Sequence, residues 1–399
     1  MLPRIKGTAV TSGVTMIKRV LVAGSLILAL AACNGTQLAS GGSTRHLAPI
    51  PPATMALMST KGVSKNDPIL VRIYKKESEL ELYKRGRDGR YALLKTYPIC
   101  RWSGQLGPKQ REGDRQAPEG FYTVGPAQMN PNSSLYLSFD LGYPNAYDRS
   151  HGRSGSHLMV HGSCSSRGCF AMTDEAISEV YALAREAFAG GQRGFQVQSL
   201  PFRMTAENLA KYRADPNIAF WRNLKEGTDL FDVASVEPRV GVSGRRYAFA
   251  ADDPSALQAV AEKQAKDEQE VASLIEKGTP AIQVVYDDGG SHQSFRDAVV
   301  AGKSTLGDVS RPDALAAGPR EIAVADVVKG RALAFSSTKP PYSSVIQPTT
   351  APAPAQPAHR PIQVASATGE TSVAMPVETK KAETPLYRRL FGSLFSASK

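Results

Sequence analysis

Cysteine is scarce in this chain, with 4 among 399 residues. That excludes a small fold held by a disulfide framework, which needs far more bridges per residue. Long apolar runs are also missing. No stretch of about 18 or more apolar residues interrupts the body of the chain, which excludes a polytopic membrane protein. Acidic residues are outnumbered, 37 against 48 Lys and Arg, for a formal net charge of +11. Such a surplus suits nucleic acid, a membrane surface or an acidic polymer, and does not choose among them. Hydrophobic residues make up 42% of the chain, enough for a sizeable core. The 27 Pro and 34 Gly say that not all of the chain packs. The length allows two or three domains at about 150 residues each.

The first segment sets the expected compartment. Lys18 and Arg19 precede a short apolar stretch, Val20 to Ala32, too short to span a membrane comfortably. It ends Leu30-Ala31-Ala32-Cys33, which resembles a bacterial lipobox with Cys33 as the lipidated residue. Met16 to Cys33 alone makes a compact lipoprotein signal. Asn34 follows the cysteine, where Asp would be an inner-membrane retention cue. The expectation is a periplasmic chain, lipid-anchored to the outer membrane, with the outer leaflet of the inner membrane as the alternative. A nucleic-acid partner is not expected of an exported chain.

Composition and periodicity divide the remainder. Residues 1–33 read as signal and lipobox. Residues 34–66, rich in Gly, Ser, Thr, Pro and Ala, read as a flexible tether. Strands are expected at 69–74, 79–84 and 90–99, with Gly86-Arg87-Asp88-Gly89 as a hairpin turn, then at 121–124, 135–139, 158–160 and 195–200. Thr173-Asp174 opens a helix to Ala189, stopped by Gly190-Gly191. These elements are expected to form a β-rich α+β domain over 67–202. Residues 203–335 read as a mostly helical extension, including a charged helix from Asp253-Pro254 to about Lys277, expected to be a solvated arm. Residues 336–399 read as a disordered tail; nine of the 27 Pro fall in 340–399. Near its end Leu386, Leu390 and Leu394 recur at helical spacing.

The chemistry sits in one window. Three of the six His lie in residues 151–161, and Cys164 and Cys169 follow. The run is Ser156-His-Leu-Met-Val-His161-Gly162-Ser-Cys164-Ser-Ser166-Arg167-Gly168-Cys169-Phe-Ala171-Met172. A Cys on a Gly-rich turn near a strand-end His is the layout of a thiol nucleophile and its base. The helix beginning near Thr173 places a dipole close to Cys169. Gly168 lets the backbone approach closely, and the N–H groups of Gly168 and Cys169 are candidate oxyanion donors.

The window resembles the active-site motif of the L,D-transpeptidases of the YkuD type. That motif has a His-Gly, then Ser-His-Gly-Cys, an apolar residue, and Arg or Asn. His161-Gly162 matches the first part and Ser166-Arg167-Gly168-Cys169-Phe170 the second. Arg167 replaces the second His, Ala171 replaces the Arg or Asn, and Cys169 follows His161 by only 8 positions. These departures resemble the YafK-like branch of the family, His-Gly-x-Cys-x-Ser-x-Gly-Cys-[Phe/Tyr]-Ala-Met-Thr, matched here from His161 to Thr173. Leu106 to Lys109, Glu112 to Tyr122, Tyr143-Pro144-Asn145 and Phe220 to Gly227 resemble the same branch. The likeness covers about residues 67–250; residues 251–399 carry none.

The resemblance implies a cysteine enzyme without cofactor or metal that acts on peptidoglycan stem peptides at meso-diaminopimelate. A Cys169 thioester would pass its acyl group to an amine, in wall cross-linking or protein attachment. One alternative is an amidase hydrolysing the link between peptidoglycan and an outer-membrane lipoprotein. A second is a non-catalytic wall-binding lipoprotein. By matched position Cys169 is the nucleophile, His161 the base, Gly168 an oxyanion donor and Ser166 an orienting group. Arg167, Lys109, Arg111 and Arg115 are candidates to hold substrate carboxylates.

Other readings of the cysteines stay open at this stage. His157, His161, Cys164 and Cys169 are zinc-type ligands. If 157–161 is a strand, however, its ends lie about 13 Å apart, so both His cannot reach one ion. A Cys164–Cys169 bridge would block the nucleophile. Without Cys33 three Cys remain, an odd number, and a Cys100–Cys164 pair would leave Cys169 free. His151 and His157 read as structural or surface residues.

Overall fold

A computed structural model describes residues 44–251, 253–302 and 311–324. The expected signal, lipidation at Cys33, Pro-rich tail and terminal leucine-spaced helix lie outside the described residues. The chain is α+β, as expected. In chain order the elements are α1 (Pro52–Thr60), β1 (Ile69–Tyr74), β2 (Glu79–Arg85), β3 (Tyr91–Pro98), β4 (Arg101–Trp102), β5 (Gly120–Val124), β6 (Met129–Asn130) and β7 (Ser138–Asp140). Then come α2 (Ala146–Ser150), β8 (Met159–His161), β9 (Phe170–Ala171), α3 (Asp174–Ala189) and β10 (Phe195–Leu200). The extension follows with α4 (Ala206–Lys211), α5 (Ile218–Ala234), β11 (Arg239–Ser243), β12 (Arg246–Ala250), α6 (Pro254–Glu276), β13 (Ile282–Val285), α7 (Gln293–Val300), α8 (Pro312–Ala317) and β14 (Arg320–Ala323).

Two five-stranded sheets make the frame, ordered β3-β2-β1-β10-β5 and β4-β9-β8-β7-β6. The first is hydrophobic through its centre, where every residue of β1 and β10 is buried. Such continuous burial requires cover on both faces. Helix α3 supplies part of it. Its apolar positions Ile177, Val180, Leu183, Ala184 and Ala187 are buried, and it touches β1, β7 and β8. Thr173 caps it by accepting a hydrogen bond from the Ala176 N–H, and Gly190 ends it.

The second sheet is short-stranded and two-sided. One row across it is Trp102, Phe170, Val160, Phe139 and Met129, an apolar face turned to the core. One residue along, on the other face, the row is Arg101, Ala171, His161, Ser138 and Asn130. Strand alternation thus gathers the apolar side chains beneath and the polar ones above.

Two expectations are corrected. Residues 44–66 are not simply a tether. Pro52 at the first helical turn starts α1, and Thr54 and Met58 of that helix are buried. Thr54 Oγ1 donates to Glu179 of α3, so this helix belongs to the domain. Helix α6 is likewise not a solvated arm. Val260 and Val271 are buried, and Lys263 and Asp267 join Lys225 and Asp229 of α5 in one ion-pair network. The extension, read as mostly helical, also carries two antiparallel strand pairs, β11–β12 and β13–β14.

One buried ion pair fixes the loop before β5. Lys75 and Glu119 side chains are both fully buried and lie 2.9 Å apart. The Lys75 ammonium also donates to the carbonyls of Gln105, Gly107 and Ala117, while Glu119 accepts from Trp221 Nε1 and the Gly107 N–H. All of its donors are used, which makes burial of the charge tolerable. Replacing Lys75 by Met leaves the Glu119 carboxylate buried without a counter-charge. The expected loss is about 3–5 kcal/mol of unfolding free energy. Urea unfolding checks it, and a loss under about 1 kcal/mol would contradict this account of the loop.

Candidate active site

Parallel pairing sets His161 opposite Ala171 and Val160 opposite Phe170. Extending that register back by one residue brings Cys169 beside Met159, and the Met159 N–H does reach Cys169 Sγ, at 3.5 Å. Cys169 and His161 therefore stand on the same face of adjacent strands, two residues offset. Strand spacing and rise put their Cα atoms about 8 Å apart, within reach of the two side chains.

His161 is almost fully buried, at 1% exposure. Its Nδ1 is 2.6 Å from the carbonyl oxygen of Gly162. A carbonyl only accepts, so Nδ1 carries the proton and Nε2 keeps its lone pair free. Burial depresses the imidazole pKa below its ordinary value, against the Gly162 carbonyl, which favours the cation.

Cys169 is half-buried and is the free thiol among the described residues. Cys100 and Cys164 form a disulfide, which leaves Cys169 unencumbered. Burial pushes the Cys169 thiol up, with Asp140 adding to that effect; the Met159 N–H and the charge of Lys109 pull the other way. Burial thus favours the neutral form of both side chains. The site is suited to general-base removal of the thiol proton rather than to a standing thiolate–imidazolium pair.

Ser166 organises the turn, as expected, but with a consequence the motif does not reveal. Its hydroxyl donates to the Cys169 carbonyl at 2.7 Å and accepts from the N–H groups of Cys169 (3.0 Å) and Gly168 (3.3 Å) and from Ser103 Oγ (2.8 Å). The two N–H groups expected as oxyanion donors are therefore already engaged by Ser166. The N–H group that meets the sulfur itself is that of Met159, which donates to Cys169 Sγ at 3.5 Å. Gly168 has φ of 130°, a conformation that requires glycine, which accounts for its place before the cysteine.

The expected substrate-binding cations separate. Arg167 is exposed in the turn and has no ion-pair partner among the described residues. Arg111 is exposed as well. Arg115 is half-exposed and faces Asp288, with both carboxylate oxygens at 3.4 Å. Lys109 is corrected. Its side chain is 3% exposed, and its ammonium is held by Asp114 at 2.5 Å and by the Arg111 carbonyl at 2.9 Å. It staples its own loop and does not offer a free charge. The zinc-type set does not converge either. His157 points its Nδ1 toward Asp140 at 3.7 Å, and no group of three metal-ligating side chains occurs among the described residues.

A groove of about 730 Å³ lies beside the thiol, lined by Asp140, Tyr143, Arg149, His157 and Met159 among others. Two of its lining residues, His157 and Met159, also meet Cys169 Sγ through their backbones. Asp140 and Arg149 were not legible as site residues, because they come from β7 and α2 and carry no local motif. Asp174 escaped notice as well; its carboxylate accepts from the Ser163 N–H at 2.9 Å and holds the loop after His161.

A free thiol and an imidazole with a fixed tautomer thus stand on one face of adjacent strands, residue types suited to nucleophilic chemistry. Residues 68–197 match the family model of the YkuD L,D-transpeptidase catalytic domain. The chain is 44% identical over 197 residues to an Escherichia coli (strain K12) protein named "Putative L,D-transpeptidase YafK", covering 47% of this chain and 79% of that one. The chain belongs to the L,D-transpeptidase family. Among solved structures it has distant resemblances to the helical cell shape determining protein Pgp2 of Campylobacter jejuni and to Bd1075 of Bdellovibrio bacteriovorus. The first has 17% identity and a TM-score of 0.29, over 58% of this chain and 80% of that one. The second has 13% identity and a TM-score of 0.26, over 47% and 78%.

Alkylation of Cys169 by iodoacetamide tests the neutral resting pair. The rate should rise with pH along a midpoint above the ordinary thiol value of about 8.5. A midpoint below about 7 would mean a preformed thiolate and contradict this reading.

Proposed function

We propose that the chain is a cysteine acyltransferase of peptidoglycan remodelling. His161 Nε2 takes the Cys169 thiol proton as the sulfur attacks a stem-peptide carbonyl at meso-diaminopimelate. The carbon–nitrogen bond breaks, the leaving amine receives that proton from His161, and a Cys169 thioester remains. An acceptor amine then attacks the thioester, gives a proton to His161, and restores the thiol. The observation that carries this reading is the His161 Nδ1 to Gly162 carbonyl bond at 2.6 Å, which aims the basic nitrogen away from the backbone on the face that holds the free Cys169 thiol. Family membership supports peptidoglycan as the substrate. Water as acceptor would make the same acyl-enzyme an amidase for the link between peptidoglycan and a lipoprotein. The groove beside the thiol favours turnover over simple wall binding.

The reading includes its compartment. The chain is lipid-anchored through Cys33 in the periplasm, at the outer membrane, with the outer leaflet of the inner membrane as the alternative site. Labelling with a palmitate analogue, abolished by Cys33→Ala, checks the anchor.

Incubation with stem-peptide muropeptides and mass spectrometry of the intact protein tests the chemistry. An acyl adduct on Cys169 is expected, absent in Cys169→Ala and formed at least about 100-fold more slowly in His161→Gln. Product analysis with and without an added amine separates transfer from hydrolysis. No adduct and no product, with Cys169→Ala still binding muropeptides, would favour the wall-binding reading.

A further inference from the structure

The extension reaches the thiol's neighbourhood through one edge of the second sheet. Residues 290–292 run beside β4: the Trp102 N–H donates to the Gly290 carbonyl at 2.9 Å, the Gly290 N–H returns the bond at 3.1 Å, and the His292 N–H bonds the Ile99 carbonyl at 3.0 Å. Gly289 makes this approach possible. It has φ of 79°, and a Cβ there would lie 1.8 Å from the Trp102 oxygen. The paired segment delivers Asp288, 7% exposed, to a cluster of guanidinium groups.

Three arginines converge on that one carboxylate. Arg101, fully buried, donates to Asp288 Oδ2 at 2.9 Å. Arg115 lies 3.4 Å from it, and Arg311, at the start of α8, lies 3.6 Å from it. The buried Arg101 already needs the Asp288 charge, and its Nε and Nη1 atoms have no hydrogen-bond partner among the described residues. A single carboxylate, that of Asp288, therefore faces three guanidinium groups; burial weighs most against the charge on Arg101, and like-charge repulsion from Arg311 and Arg115 adds to it. Arg115 and Arg311 remain about half-exposed. The cluster adjoins the Cys169 turn, because the Arg115 carbonyl carbon and Gln116 oxygen lie 3.8 Å from where a Gly168 Cβ would be.

We propose that Arg115 and Arg311, steadied by Asp288, form an anion-binding rim beside the Cys169 turn that takes a free carboxylate of the peptide entering the thiol groove. The extension is then part of the binding site, and Asp288 is a positioning residue that holds the two guanidinium groups without neutralising them. The identity of the ligand as a peptide carboxylate rests on the proposed function; the rim itself does not.

Two alkylating reagents of nearly equal size test the rim without any peptidoglycan. Iodoacetate carries a carboxylate and iodoacetamide does not, so the ratio of their rates at Cys169 reads the charge around the thiol. Arg311→Gln and Arg115→Gln should each slow iodoacetate more than iodoacetamide, lowering that ratio about threefold or more at low ionic strength with the melting temperature unchanged. High salt should bring the native ratio down toward that of the variants. A ratio within about 1.5-fold of native in both variants, or an equal slowing of both reagents, would overturn the rim. If muropeptides acylate Cys169 yet the ratio is unchanged, the rim fails and the proposed function stands. If the ratio falls but no acyl-enzyme forms, the rim stands and its peptide ligand is refuted.

Discussion

The site depends on a parallel strand pair joined by an unusually short link. Parallel neighbours ordinarily need a crossover of about a dozen residues or more, usually through a helix. Here β8 ends at His161 and β9 begins at Phe170, so residues 162–169 must make the whole return. The chain manages it with left-handed conformations at Ser163, Cys164 and Gly168. Three ties hold the strained path: the Cys100–Cys164 disulfide, the Asp174 carboxylate on the Ser163 N–H, and the Ser166 hydroxyl on both ends of the Cys169 backbone. The product of this constraint is a cysteine placed beside the strand that carries its histidine, on the same face.

Burial then decides the protonation states. The apolar row beneath the sheet, Trp102, Phe170, Val160, Phe139 and Met129, keeps water from the lower side. Desolvation lowers the His161 pKa and raises that of Cys169, so the neutral forms of both are favoured. A neutral pair with a fixed tautomer needs no rearrangement to begin proton transfer. The same logic explains the buried cations. Lys75 is matched by Glu119 and three carbonyls, and Lys109 by Asp114, so neither is free for another partner. Arg101, with two nitrogens unpartnered among the described residues, is the exception.

Much of this was legible in the residues themselves. The β-rich α+β class follows from alternation in 69–98 and from the Gly86 to Gly89 turn, and the helix from Thr173 to Gly190 follows from its cap and stop. The pairing of Cys100 with Cys164 was one open alternative, consistent with a free Cys169. What stayed hidden depended on partners remote in sequence. Nothing local shows that Thr54 meets Glu179, or that Asp288 meets Arg115 across 173 positions. The resting engagement of the two candidate oxyanion amides was hidden for a different reason. A motif names Ser166 and Cys169 but not the direction of a hydroxyl, and that hydroxyl occupies the two amides. Residues 34–66 misled because Gly and Ser concentrate in 34–43, while Pro52 and Met58 build a packed helix further on.

The central claim is that the imidazole of His161 is held with its proton on Nδ1, leaving Nε2 as the base for Cys169. Nitrogen NMR of protein labelled in histidine reads this directly, since protonated and lone-pair ring nitrogens have distinct shifts. The account predicts the Nδ1–H tautomer for His161 at neutral pH, converting to the cation only below the ordinary histidine value of about 6.5. An Nε2–H tautomer, or an imidazolium that persists at pH 7 or above, would contradict it.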